Sequence, residues 1–190
     1  MKMTRKKTIL SLFLIVSIIA AYSFGRQEAK PLFEQPALIT SAGQSADGLQ
    51  ASVLAKKAEL KADLAKFAAG QDLENHKTLI LVLGASMKGL GAAGLDTDKE
   101  KGRITQLLAE AKKRKLPVLC LHIGGETRRG QLTDEMIGEY LPSAQMAIVV
   151  KSGNKDGIFT KICKEKSIPL IEVDKILDVV GPLKAAFKTQ

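Results

Sequence analysis

Five consecutive apolar residues, Leu79–Leu83 (LILVL), run without a polar interruption into Gly84–Gly94, GASMKGLGAAG. A half-exposed strand alternates apolar and polar residues. A continuous apolar run has no wet face and belongs in the middle of a sheet covered on both sides, which parallel βαβ crossovers provide. The chain around this run alternates short β-like runs with helical stripes and contains no long helical or all-β block. A three-layer, doubly wound α/β domain with a mainly parallel sheet of five or six strands follows.

Taken in order, Ala37–Thr40 reads as the first strand and Ser41–Gly48, SAGQSADG, as the loop behind it. Leu49, Val53 and Leu54 begin a helical stripe, and Leu60, Ala62 and Leu64 alternate as a short edge strand. Asp72–His76 reads as a single turn. Thr97 and Glu100 have capping-box spacing, and Ile104, Leu107, Leu108 and Ala111 repeat at helical intervals behind them. Further strands are expected at Pro117–His122, Gln145–Val150 and Pro169–Val173, with helices at Thr133–Leu141 and Gly157–Lys166. A terminal helix starts at Asp174, and Gly181 and Pro182 should break it. The expected strand order is flavodoxin-like, 2-1-3-4-5 with a sixth strand added, or Rossmann-like.

With 190 residues and 45% hydrophobic content, the chain has material for one full core, expected over residues 37–190. Its start is different in kind. Lys2, Arg5, Lys6 and Lys7 precede Thr8–Phe24, a charge-free run rich in Leu and Ile, which is the pattern of an export signal. Ser23 and Gly25 are small residues suited to cleavage, while the length of the run also suits a retained membrane anchor. Residues 26–36, with Pro31 and Pro36, read as a linker. The expected location is therefore periplasmic or extracellular, secreted or anchored to the cytoplasmic membrane. Setting those four bases aside lowers the formal charge from +9 to +5. With 4% aromatics and no Trp, the stacking platforms of single-strand nucleic-acid binders are missing, and no nucleic-acid partner is expected. Cys120 and Cys163 form no CxxC or His cluster, so no metal is expected; each lies in an apolar pattern that suits a buried free thiol better than a disulfide.

In doubly wound sheets, ligands bind at the carboxyl ends of the strands where the order reverses, here between the first strand and the central one. Ser41, Gly43 and Ser45 of one loop and Gly84, Ser86, Lys88, Gly89 and Gly91 of the other are candidate ligand-binding residues, because small residues admit backbone N–H groups to a ligand and Lys88 adds charge. The loop His122–Gly130, HIGGETRRG, leaves the adjacent strand and adds His122, Glu126, Arg128 and Arg129. Arginine suits capture of a carboxylate or phosphate. The alternative is that the glycines serve only tight turns and close packing, that the arginines are solvated, and that His122 is a hydrogen-bonded core residue. Asp156 most simply caps the helix after it. Gly84–Gly89 has the GxxxxG spacing of a P-loop, but Leu90 and Gly91 stand where Lys and Ser or Thr are required, which argues against nucleotide hydrolysis. Thr40, Gly43 and Ser45 resemble a flavodoxin phosphate loop, yet Ala42 replaces a hydroxyl residue and few aromatics exist to flank a flavin, so no cofactor is expected.

The leader, GASMKGLGAAG, HIGGETRRG and SGNKDG together resemble an uncharacterised family of exported bacterial α/β proteins, a domain of unknown function, over nearly all of the chain after about residue 33. The resemblance implies compartment and fold, and no activity. Family members commonly carry a glycine near Glu59, which implies that the first helix ends there. Three functional classes remain open. They are a module binding a small carboxylate or phosphate compound, an extracytoplasmic hydrolase-type enzyme using His122 or a loop serine, and an interaction domain with no ligand. Protein partners are not indicated, and the membrane is a partner only through an uncleaved leader.

Overall fold

A computed structural model describes residues 32–189. The leader, residues 1–25, and the expected linker as far as residue 31 lie outside the described residues. Six parallel strands form one sheet: β1 (Ala37–Ala42), β2 (Ala62–Leu64), β3 (Thr78–Leu83), β4 (Val118–His122), β5 (Met146–Val150) and β6 (Leu170–Val173). Their order is β2-β1-β3-β4-β5-β6, the expected flavodoxin-like order with a sixth strand at the edge. The helices are α1 (Asp47–Lys57), α2 (Met87–Ala92), α3 (Thr97–Lys113), α4 (Gln131–Tyr140), α5 (Ile158–Lys166) and α6 (Val180–Ala186). Among the described residues no helix is long and apolar enough to cross a membrane.

All six residues of β3 are buried, and the strand pairs with β1 on one side and β4 on the other. The pleat divides its apolar run between two cores. Leu79, Leu81 and Leu83 pack with Ile104 and Leu107 of α3, Met136 and Ile137 of α4, and Phe159 of α5. Ile80 and Val82 face Leu54 and Ala55 of α1 and Leu183 and Phe187 near the C-terminus. Cys120 and Cys163 are both free and buried in the first of these cores. Burial raises both thiols, Cys163 to about 11, so neither is a thiolate at neutral pH.

Four local expectations are corrected, and one, the end of the first helix near Glu59 with an edge strand after it, is met. The linker gives way to packed structure before Ala37: Phe33 is fully buried 5.6 Å from the Phe187 ring, and Thr78 Oγ1 donates to the Glu34 carbonyl at 2.7 Å. The glycine stretch after β3 is not open loop throughout, since Met87–Ala92 winds into α2. At α3 the capping residue is Asp96, whose carboxylate accepts from Lys99 N at 2.8 Å, and Glu100 is turned inward. Gly181 and Pro182 do not break the last helix; they lie in the first turn of α6, where proline's missing N–H would have had no intrahelical acceptor. α1 ends at Lys57 and Glu59 adopts φ 61°, the left-handed conformation that glycine favours, which leaves β2 free to pair with β1.

Candidate functional site

The order reverses between β1 and β3, and the loops leaving their carboxyl ends meet there. Their centre is occupied by a side chain of the protein itself. Glu100 of α3 is fully buried and accepts from Gly43 N at 2.9 Å, an N–H that the sequence suggested for a ligand. Arg103, one turn on, donates to both Glu100 oxygens at 2.8 and 2.9 Å, to the Ser41 carbonyl at 2.7 Å and to the Ala68 carbonyl at 3.0 Å. A buried carboxylate is tolerable only when charge and lone pairs are both met, and here a guanidinium and a backbone amide meet them.

A second internal pair lies beside the first. Asp47, at the start of α1, has a side chain only 2% exposed and receives Arg128 Nε at 3.1 Å and Nη2 at 3.2 Å. Two of the sequence's glycines make room for it. A Cβ on Gly84 would stand 2.7 Å from Arg128 Cγ and 3.0 Å from Asp47 Oδ2, and one on Gly124 would stand 2.5 Å from Asp47 Oδ2 and from Arg128 Cβ. These glycines thus have a packing role, and Arg128 is engaged by Asp47 instead of standing free.

The rest of HIGGETRRG faces β5. Arg129 donates to Asp134 at 2.6 Å, to Asp156 at 2.7 Å and to the Gly153 carbonyl at 2.5 Å, which clamps the loop to the turn after β5. The Arg129 hydrogen bond holds the Asp156 carboxyl down at about 2. The N-cap of α5 is Gly157 and not the expected Asp156, whose carboxylate accepts from Ile158 N at 3.3 Å, while Asn154 Oδ1 takes Phe159 N at 2.9 Å. Glu126 pairs with Lys155 at the surface. His122 is buried with Nδ1 2.9 Å from the Leu83 carbonyl and Nε2 3.2 Å from the Gly125 carbonyl. Burial pushes its pKa below the usual value against the pull of those two carbonyls. With both ring nitrogens on backbone oxygens, neither is directed at a hydroxyl.

Above the buried pairs, a cleft of about 620 Å³ opens at the ends of β1 and β2. It gathers Ser41, Ser45, Ser86, Lys88 and Gly89 from the sequence's candidates; Gly43 and Gly84 lie in its supporting loops, while Gly91, His122, Glu126, Arg128 and Arg129 do not line it. The Ser41 and Ser45 hydroxyls are 3.4 Å apart, and Ser86 Oγ accepts from Gly89 N at 3.1 Å, which leaves the Ser86 O–H free to donate into the cleft. Leu49, Leu64 and Phe67 complete the lining, and no acidic residue takes part in it.

The sequence reading missed Asp47, Glu100 and Arg103. One signal for Glu100 was present: it falls four residues before Ile104 and so continues the α3 stripe of Ile104, Leu107, Leu108 and Ala111 inward. An acid on an apolar stripe needs a buried partner, and Arg103 at one turn is the nearest candidate.

Fold and site together define a three-layer α/β domain of flavodoxin-like topology whose switch point is filled by its own ion pairs and roofed by a small cleft. The chain belongs to DUF6305, a domain of unknown function, whose family model matches residues 34–187. No curated protein matches it. Among solved structures it is similar to a protein from Desulfitobacterium hafniense DCB-2 assigned to the lipolytic G-D-S-L family. That pair shares 14% identity over 72% of this chain and 75% of the other, with a TM-score of 0.34. It is also similar to AlinE4, an SGNH-hydrolase family esterase, at 14% identity over 76% of this chain and 77% of that one, with a TM-score of 0.29. Likeness at that level transfers no reaction to this chain.

Proposed function

We propose that this domain binds a small anionic molecule, a carboxylate or phosphate compound, without transforming it, and that the cleft at the ends of β1 and β2 is where it binds. The observation that carries the reading is the composition of the lining. Lys88 and the hydroxyls of Ser41, Ser45 and Ser86 share one concave surface free of carboxylates, while the nearby acids Glu100 and Asp47 are neutralised by their own arginines. Binding without turnover fits a histidine that is buried, faces the Leu83 and Gly125 carbonyls and does not line the cleft. The basic and apolar leader supports, as part of the same proposal, a location outside the cytoplasmic membrane.

A ligand that prefers the native state raises thermal stability by mass action, about 2.7 kcal/mol at a hundred times its Kd. Screening acetate, citrate, phosphate and pyrophosphate by thermal shift should give saturable stabilisation by at least one of them. Lys88→Ala should weaken that binding roughly ten- to a hundredfold, the worth of one charge-assisted contact. An anion panel without any stabilisation, or an affinity indifferent to Lys88, would overturn the assignment.

A further inference from the structure

We infer that the ligand of this cleft is an amphiphilic monoanion, a carboxylate head on an unbranched acyl or aryl body. This rests on the anion-binding reading above and narrows it. Single exposed apolar side chains are ordinary on protein surfaces, but a cluster of them on one concavity marks a binding site. Leu49 is 58% exposed and Phe67 53% exposed, both line the cleft with Leu64, Ala92 and Ala93, and the 68% exposed Met87 adjoins Lys88 in sequence. These residues come from three separate stretches, α1, β2 with the segment after it, and α2 with the residue after it, and their convergence follows from none of the local patterns.

Charge selects the head. The lining offers two cations, Lys66 and Lys88, neither of them ion-paired among the described residues, and no arginine. The arginines that would grip a multiply charged phosphate group by two-pronged contacts are already spent on carboxylates: Arg103 on Glu100 and Arg128 on Asp47. One or two ammonium groups beside the Ser86 hydroxyl, with the Ser41 and Ser45 hydroxyls bonded to each other behind it, match a single negative charge. Size selects the body. At about 620 Å³ the cleft lies within the range of small-molecule sites and is far roomier than acetate or phosphate requires.

The test is calorimetric titration of the full chain with acetate, butanoate, hexanoate and octanoate, with octylamine as the control of opposite charge. Each methylene that leaves water should tighten binding about fourfold, so octanoate should bind about sixteenfold tighter than hexanoate. Octylamine should not bind. Lys88→Ala should weaken octanoate and acetate alike, whereas the double variant Leu49→Ser, Phe67→Ser should flatten the chain-length series and leave acetate unchanged. Both variants alter exposed side chains, so folding is not at stake. Acetate and octanoate binding equally through Lys88 would overturn the amphiphile and leave the anion-binding reading standing. No carboxylate, phosphate or pyrophosphate binding at all would overturn both. Adherence to phosphatidylglycerol vesicles through Leu49 and Phe67, with no uptake of monomeric octanoate, would assign the surface to a membrane and overturn the proposal.

Discussion

Arg128 and Arg129 are adjacent in the chain and belong to two different charge systems. Arg128 turns toward β1 and meets Asp47, whose side chain is 2% exposed; Arg129 turns toward β5 and meets Asp134 and Asp156, at 38% and 55% exposure. The first system, together with Glu100 and Arg103, lies beneath the candidate cleft, and the second ties two loops at the rim. The guanidinium–carboxylate chemistry is the same in both. What differs is how much water the acid gave up, and that decides what losing its partner costs.

The largest effect should come from the most buried acid. Glu100→Ala leaves Arg103 without its carboxylate and Gly43 N without its acceptor, so a loss of about 3–5 kcal/mol is expected in urea unfolding. A loss below about 1 kcal/mol would erase the distinction between the two systems. Arg128→Ala should rank next. It strands the Asp47 carboxylate in the interior, but the arginine it removes is partly exposed, so about 2–3 kcal/mol is expected. A cycle of Asp47→Ala, Arg128→Ala and the double variant sharpens the comparison, because the double variant should be less damaging than the sum of the singles. Asp156→Ala at the rim should cost least, about 0.2–1 kcal/mol, as exposed pairs do. Its signature is pH. Since Arg129 depresses the Asp156 pKa from 3.8 to about 2, the pair contributes fully above the ordinary carboxylate value. That contribution is lost as pH falls through the window down to about 2. Acid titration of wild type against Asp156→Ala should show the two stability curves converging there, and parallel curves would remove the Asp156 contact from the account.

The sheet could be read from the sequence because burial on both faces leaves a local trace: Leu79–Leu83 needs no distant partner to be recognised as a central strand. The upper surface of the candidate cleft was partly readable for the same reason, since Ser41, Ser45, Ser86 and Lys88 lie at or just beyond the carboxyl ends of β1 and β3. Its floor was not. Glu100 reads as half of a capping box, which faces water, and Asp47 as one residue of the loop SAGQSADG. Arg103, three residues on, is a partner of Glu100 that helical spacing could suggest, but the groups that complete the floor, Gly43 for Glu100 and Arg128 for Asp47, are 57 and 81 positions away in sequence. No spacing rule reaches that far. The arginine pair was ambiguous because two neighbouring side chains in a turn diverge, and only the surrounding acids decide their directions.

Arg103 has one more consequence, for the tempo of binding. Its guanidinium joins the end of β1 through Ser41, the segment after β2 through Ala68, and α3 through Glu100, so three independent pieces of chain share one fastening. The floor beneath the cleft is consequently assembled before any guest arrives. Under the proposed binding, entry would ask only the exposed side chains Leu49 and Phe67 to choose new rotamers, a matter of picoseconds to nanoseconds. The proposal then predicts association in a single step, with an observed rate that climbs linearly with guest concentration and no slow loop-closing phase behind it.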